Sequence, residues 1–190
     1  MSRIRIAIPL LLAALLAGGC LVRSVHPWLP DESRVQDPAL PGVWRDDPAK
    51  TTVRFTADGD GYAVAATDGQ GRTSRLVASL HRVGETLLLQ VGPADPEGFD
   101  GFVLLPAQIL YRVVLAADSL VLHPIDPETF GPRAAEAGLA LLAESSPDNG
   151  YVLTGAPADV EAFLRAHLAD PGFFAEKPQY AFRRAPAPAP

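Results

Sequence analysis

Apolar side chains recur at every second position from residue 42 to residue 124. In "TTVRFT" (51–56) Val53 and Phe55 share a face, in "GYAVAA" (61–66) Tyr62 and Val64 do, and in "RLVASLHRV" (75–83) Leu76, Ala78 and Leu80 do. The alternation continues through Leu87, Leu89 and Val91 in "TLLLQV" (86–91), and through Ile109, Tyr111, Val113 and Leu115 in "QILYRVVLA" (108–116). Leu120 and Leu122 repeat it in "SLVLHP" (119–124), and "GVWRD" (42–46) opens the series. Successive side chains of a strand point to opposite faces, so the pattern specifies strands with one buried face. Turn signals separate them: Asp58-Gly59-Asp60-Gly61, Asp68-Gly69-Gln70-Gly71, Gly84-Glu85 and Asp118-Ser119. Asp-Gly supplies the positive φ that tight hairpins require. Seven such strands predict a mainly β (α+β) fold, an antiparallel meander forming a barrel or half-barrel. Ala63, Ala65 and Ala78 are expected to face inward and leave room inside it.

The period changes after residue 125. Asp126-Pro127 reads as a cap and first turn of a helical segment. Pro132 is expected to start the next stretch, rich in Ala and Leu, which runs to Glu144. "YVLTG" (151–155) reads as a strand. Val160, Phe163, Leu164, His167 and Leu168 then fall at helical spacing and form one apolar stripe. Pro157 suits the first position of that helix, and Asp170-Pro171-Gly172 stops it. "QYAFRR" (179–184) reads as a final strand. The domain is therefore drawn at 39–184, with residues 185–190 ("APAPAP") as a disordered tail.

The first nineteen residues have a different character. Arg3 and Arg5 precede an apolar run from Ile6 to Leu16, followed by Ala17-Gly18-Gly19. That order is the order of a secretory signal peptide. Eleven residues are too few to cross a hydrocarbon core, which takes ~20. Cys20, the only cysteine, follows immediately and has no partner for an internal disulfide. Residues 20–38, with mixed charge and no periodicity, read as a tether in which Trp28 packs on the body or at a lipid interface. Without residues 1–19 the chain holds 14 basic and 22 acidic residues, a charge of −8. An acidic body repels phosphate backbones, so no nucleic-acid partner is expected.

The stretch Leu16-Ala17-Gly18-Gly19-Cys20 resembles a bacterial lipobox, with Ala17 where the pattern places a large aliphatic residue. The resemblance implies that Cys20 carries a diacylglyceryl group and becomes the first residue of the mature chain. Leu21, which is not acidic, implies the outer membrane of a double-membrane bacterium. Cys20, His26-Pro27, Asp37-Pro38-Ala39-Leu40 and Gly42-Val43-Trp44 together resemble a group of bacterial lipoproteins of unassigned activity. Gly42-x-Trp44 is also similar to the first-strand signature of lipocalins. That similarity implies that Trp44 plugs the floor of a barrel and that a ligand cavity lies above it.

Catalytic patterns are missing from the sequence. There is no Gly-x-Ser-x-Gly, no phosphate-binding glycine loop and no dinucleotide fingerprint. An enzyme is not expected, nor is a cofactor. Histidines 26, 81, 123 and 167 lack metal-ligand spacing, although His81 and His123 could meet inside a barrel. Asp58-Gly59-Asp60-Gly61 begins like a calcium loop, but its twelfth position is Gly69 and not Glu. Phe99 and Phe102, in "GFDGFVLLPAQ" (98–108), mark a partner, ligand-mouth or membrane contact if exposed and a lid over the barrel end if buried. Two functions remain. One is a lipid-anchored envelope protein holding a small apolar ligand or lipid in its barrel. The other is a structural lipoprotein that docks on an envelope assembly and binds no small molecule.

Overall fold

The computed structural model describes residues 21–94, 107–143 and 150–186. Twelve strands form one continuous sheet: β1 (Val22–Ser24), β2 (Arg34–Val35), β3 (Gly42–Asp46), β4 (Thr51–Asp58), β5 (Gly61–Thr67), β6 (Thr73–Val83), β7 (Thr86–Pro93), β8 (Gln108–Leu115), β9 (Ser119–Pro124), β10 (Leu141–Ala143), β11 (Tyr151–Leu153) and β12 (Tyr180–Arg184). Two helices, α1 (Pro127–Glu136) and α2 (Pro157–His167), separate the last strands.

The predicted meander is present from β3 to β9, each strand antiparallel to the next. Its closure comes from the end of the chain. β12 inserts between β3 and β9, pairing Arg184 with Trp44 and Phe182 with Leu120. The result is a closed antiparallel barrel of eight strands, β3 to β9 and β12. The β4–β5 hairpin turns on Gly59, whose φ of 58° is the left-handed geometry that glycine adopts at least cost.

Among the described residues the pairing of the wall is interrupted at one place, beside β8. Along the free edge of β8, β9 pairs residues Tyr111 to Leu115, whereas β1 pairs Gln108 and Ile109. β1 continues sideways to β11 and β10, so these three strands flare away from the barrel. Among the described residues no strand pairing joins β1 to β12.

Two cores result. Leu40, Trp44, Phe55, Leu80, Leu120 and Phe182 belong to the one inside the barrel. The second lies outside the wall, where Leu88 of β7 and Leu110 of β8 meet Phe130 of α1, Val160, Phe163 and Leu164 of α2, and Phe173. Phe130 and Phe163 contact edge to face, with centroids 5.5 Å apart. Burial on both faces explains why "LLL" (87–89) and "ILY" (109–111) are apolar without interruption.

Several expectations change. Residues 21–38 are built into the domain, and the described part of the expected tether is not free. β1 pairs with β8 and β11, β2 pairs with β6, and Trp28 is fully buried in the outer core. Trp28 holds this segment to the wall: its backbone N–H donates to Gln90 Oε1 at 2.7 Å, and its indole N–H to the Gln108 carbonyl at 3.1 Å. Asp126 caps α1 as expected, accepting from the Glu128 N–H. Pro132, however, lies within α1 and starts no new segment. The Ala/Leu stretch does not stay helical to Glu144, because the helix ends at Glu136 and Leu141–Ala143 is strand β10. Ala63 and Ala65 sit on the outer face, opposite Tyr62 and Val64; of the three alanines only Ala78 faces inward.

Candidate binding cavity in the barrel

The floor is built around Gly42-x-Trp44. Trp44 is fully buried and donates its indole N–H to the Leu40 carbonyl at 2.9 Å. Arg184, at the far end of β12, lays its guanidinium over the Trp44 ring, 4.1 Å from the centroid. The same guanidinium donates to the carbonyls of Ala39, Pro41 and Ala117. Gly42 is required here on two counts. Its φ is +140°, and a Cβ would lie 2.5 Å from an Arg184 guanidinium nitrogen. The residues around 39–42, the first barrel strand and the last are thus fastened together at one end. Leu80, Val113 and Leu120 belong to the same interior core as Trp44.

The other end is hollow. A cavity of about 490 Å³ is lined by Val53, Phe55, Val64, Leu76, Leu89 and Val91, with Ile109, Tyr111, Leu122, Tyr180 and Phe182 across from them. That volume lies within the ~300–1,000 Å³ range of small-molecule sites. An eight-strand barrel can be filled by its own side chains or leave a cavity of ligand size, and this one has both a packed core and an open cavity. Small residues create the room: Ala66, Gly92 and Ala107 line the mouth half, where the floor half has Trp44 and Leu80.

The wall carries few polar groups, namely Thr51, Tyr111, Tyr180 and Arg23 of β1. Burial, and then the neighbouring Tyr180, push the Tyr111 phenol well above its ordinary range. Burial, and then the Asp46 carboxylate, push Tyr180 in the same direction. Both hydroxyls therefore stay protonated at neutral pH. The buried Asp46 accepts from the backbone N–H groups of Ala49 and Ala181, which pins the start of β12 to the β3–β4 turn.

His81 and His123 do not meet inside. They occupy one register row on the outer face, separated by Leu88 and Arg112. His81 is fully buried between Ser33 and Ser79, 2.8 Å from each hydroxyl. The Ser33 hydroxyl donates to the Pro30 carbonyl, so it accepts from Nδ1–H, and Ser79 donates to Nε2. Burial first, and Arg34 second, hold this imidazole down to about 4, with Asp31 opposing them. The His123 ring nitrogen lies 2.9 Å from the Ala175 carbonyl. His167 is half-buried against Phe163, as its place on the helical stripe predicts. Among the described residues no three His, Cys, Asp or Glu side chains cluster as metal ligands, and no helix is long and apolar enough to cross a membrane.

Of the sequence candidates, Trp44 is fully buried in the core inside the barrel and is not among the residues that line the cavity. Cys20, Phe99 and Phe102 lie outside the described residues. Sequence reading missed Arg184. Its signal is the alternation Tyr180-Phe182-Arg184, which puts a cation on the inward face at a strand's end. No family model, curated protein or solved structure matches this chain.

Proposed function

We propose that this protein is a lipid-anchored protein of the bacterial envelope, attached through Cys20, whose barrel holds a single apolar chain such as that of a fatty acid or lipid. The observation that supports the binding half of this reading is the cavity inside the barrel, whose lining is apolar apart from Arg23, Thr51, Tyr111 and Tyr180. A methylene fills about the liquid volume share of a water, ~30 Å³, so about 490 Å³ admits roughly sixteen carbons. Each methylene moved from water into the cavity contributes ~0.8 kcal/mol. The tyrosine hydroxyls and Thr51 offer hydrogen bonds to a head group.

Lipid extraction from the purified protein, followed by mass spectrometry, tests the binding half. A stoichiometric single-chain species is expected, and an apolar extract empty of ligand contradicts it. The anchoring half is tested by labelled fatty acid in growing cells. Cys20→Ala is expected to abolish incorporation, and a variant that still labels overturns the assignment of Cys20.

A further inference from the structure

The fold leaves almost no slack between Cys20 and the cavity. Val22 is 2% exposed and sits in the outer core, and Arg23, the next residue, lines the cavity. A chain spans at most ~3.6 Å per residue, and Leu21 is the only residue between Cys20 and the buried Val22. The point of entry matters as well. β1 is antiparallel to β8 with Arg23 opposite Ile109, and continuing that register sets Leu21 level with Tyr111. Tyr111 is also where Pro124 ends β9. β1 therefore meets the wall at the corner where β9 leaves β8, and its Arg23 and the opposite Ile109 both line the cavity. Above that corner no strand pairing among the described residues links β1 to β12.

We infer that the anchored barrel is held directly against the bilayer with the break beside β1 turned towards it, and that the cavity takes one acyl chain of a neighbouring bilayer lipid through that break. The inference rests on the proposed lipidation of Cys20 and on the proposed cavity ligand, and adds where the ligand comes from. A long flexible tether would let the domain tumble above the membrane. A one-residue connection, Leu21, keeps the break beside β1 in the head-group region, where lipid is at very high effective concentration. Moving a chain from bilayer to apolar cavity exposes none of it to water on the way, so the unfavourable step of passing through solvent is avoided.

The test uses the full-length lipidated protein reconstituted into vesicles of phosphatidylethanolamine and phosphatidylglycerol. The vesicles contain a phosphatidylethanolamine with a photoreactive diazirine on one acyl chain. After irradiation, adducts of vesicle-lipid mass are expected on Val91, Ile109 and Tyr111. A variant with a flexible Gly/Ser insertion between Cys20 and Leu21 keeps both anchor and cavity, and its labelling should fall at least about five-fold through lost effective concentration. The same variant should bind a fluorescent fatty acid in detergent micelles as well as the wild type does. Equal labelling of the two proteins overturns the inference. So does labelling that appears only in Cys20→Ala, which would show the protein's own acyl chain filling the cavity. Failure of every form to bind the fluorescent fatty acid overturns the cavity reading itself.

Discussion

The two ends of the barrel are made from the same alternating strands and differ in what their inward residues fill. At the floor Trp44, Leu80, Val113 and Leu120 are buried and do not line the cavity, and Arg184 ties Trp44 to the carbonyls of Ala39 and Pro41. At the mouth the small residues Ala66, Gly92 and Thr51 are part of the lining and about 490 Å³ stays open. Alternation therefore decides that a barrel forms, and side-chain volume at each level decides whether that level is core or site. The packed end carries buried side chains, and the other end leaves a cavity.

Truncation should separate the ends sharply. Trp44→Ala removes a fully buried ring together with its indole hydrogen bond and the Arg184 contact, and should cost about 3–5 kcal/mol in urea unfolding. A loss below 1 kcal/mol would mean that the floor is not the fastening point.

His81 lies outside the wall and supplies a reference that depends on pH. Its folded imidazole titrates at about 4, below the ordinary value of 6.5. The neutral form is the folded form, so its contribution is complete above pH ~6.5 and is lost as the pH falls towards ~4, by roughly 3 kcal/mol. Unfolding curves between pH 7.5 and 4.5 should show this slope in the wild type and lose it in His81→Gln. Parallel slopes would remove His81 from the account.

At the mouth the effect should be small. Leu76 lines the cavity and is only partly buried, so Leu76→Ala should cost about 1 kcal/mol or less, because little packed surface is removed. A loss matching that of Trp44→Ala would show that the mouth is as tightly packed as the floor.

Much of this architecture was legible in the sequence. Alternation and Asp-Gly turns define the strands from β3 to β9, and the stripe from Val160 to Leu168 defines α2, because both depend on local periodicity. Closure by β12 was not legible, since pairing Arg184 with Trp44 joins residues 140 positions apart. The N-terminal segment misled for a related reason. Val22–Ser24 is too short to show a period and is a strand only because β8 and β11 flank it. Leu141–Ala143 has good helix formers that tertiary pairing with β11 overrides. For the site, Gly42-x-Trp44 pointed to a buried tryptophan inside the barrel, but the alanine assignment failed. Tyr62 and Val64 already claim the inner face of β5, which leaves Ala63 and Ala65 outside and Ala66 in the cavity.

The central claim is that the open half of the barrel is a site for one apolar chain. The most direct measurement is a fluorescence titration with dansyl-labelled undecanoic acid, comparing the wild type with Ala66→Trp, a substitution that fills the mouth. The wild type should saturate at one probe per chain, and Ala66→Trp, still folded by circular dichroism, should bind at least about ten-fold more weakly, a difference of ~1.4 kcal/mol. Equal affinity in the two proteins, or no saturable binding by the wild type, would contradict the account.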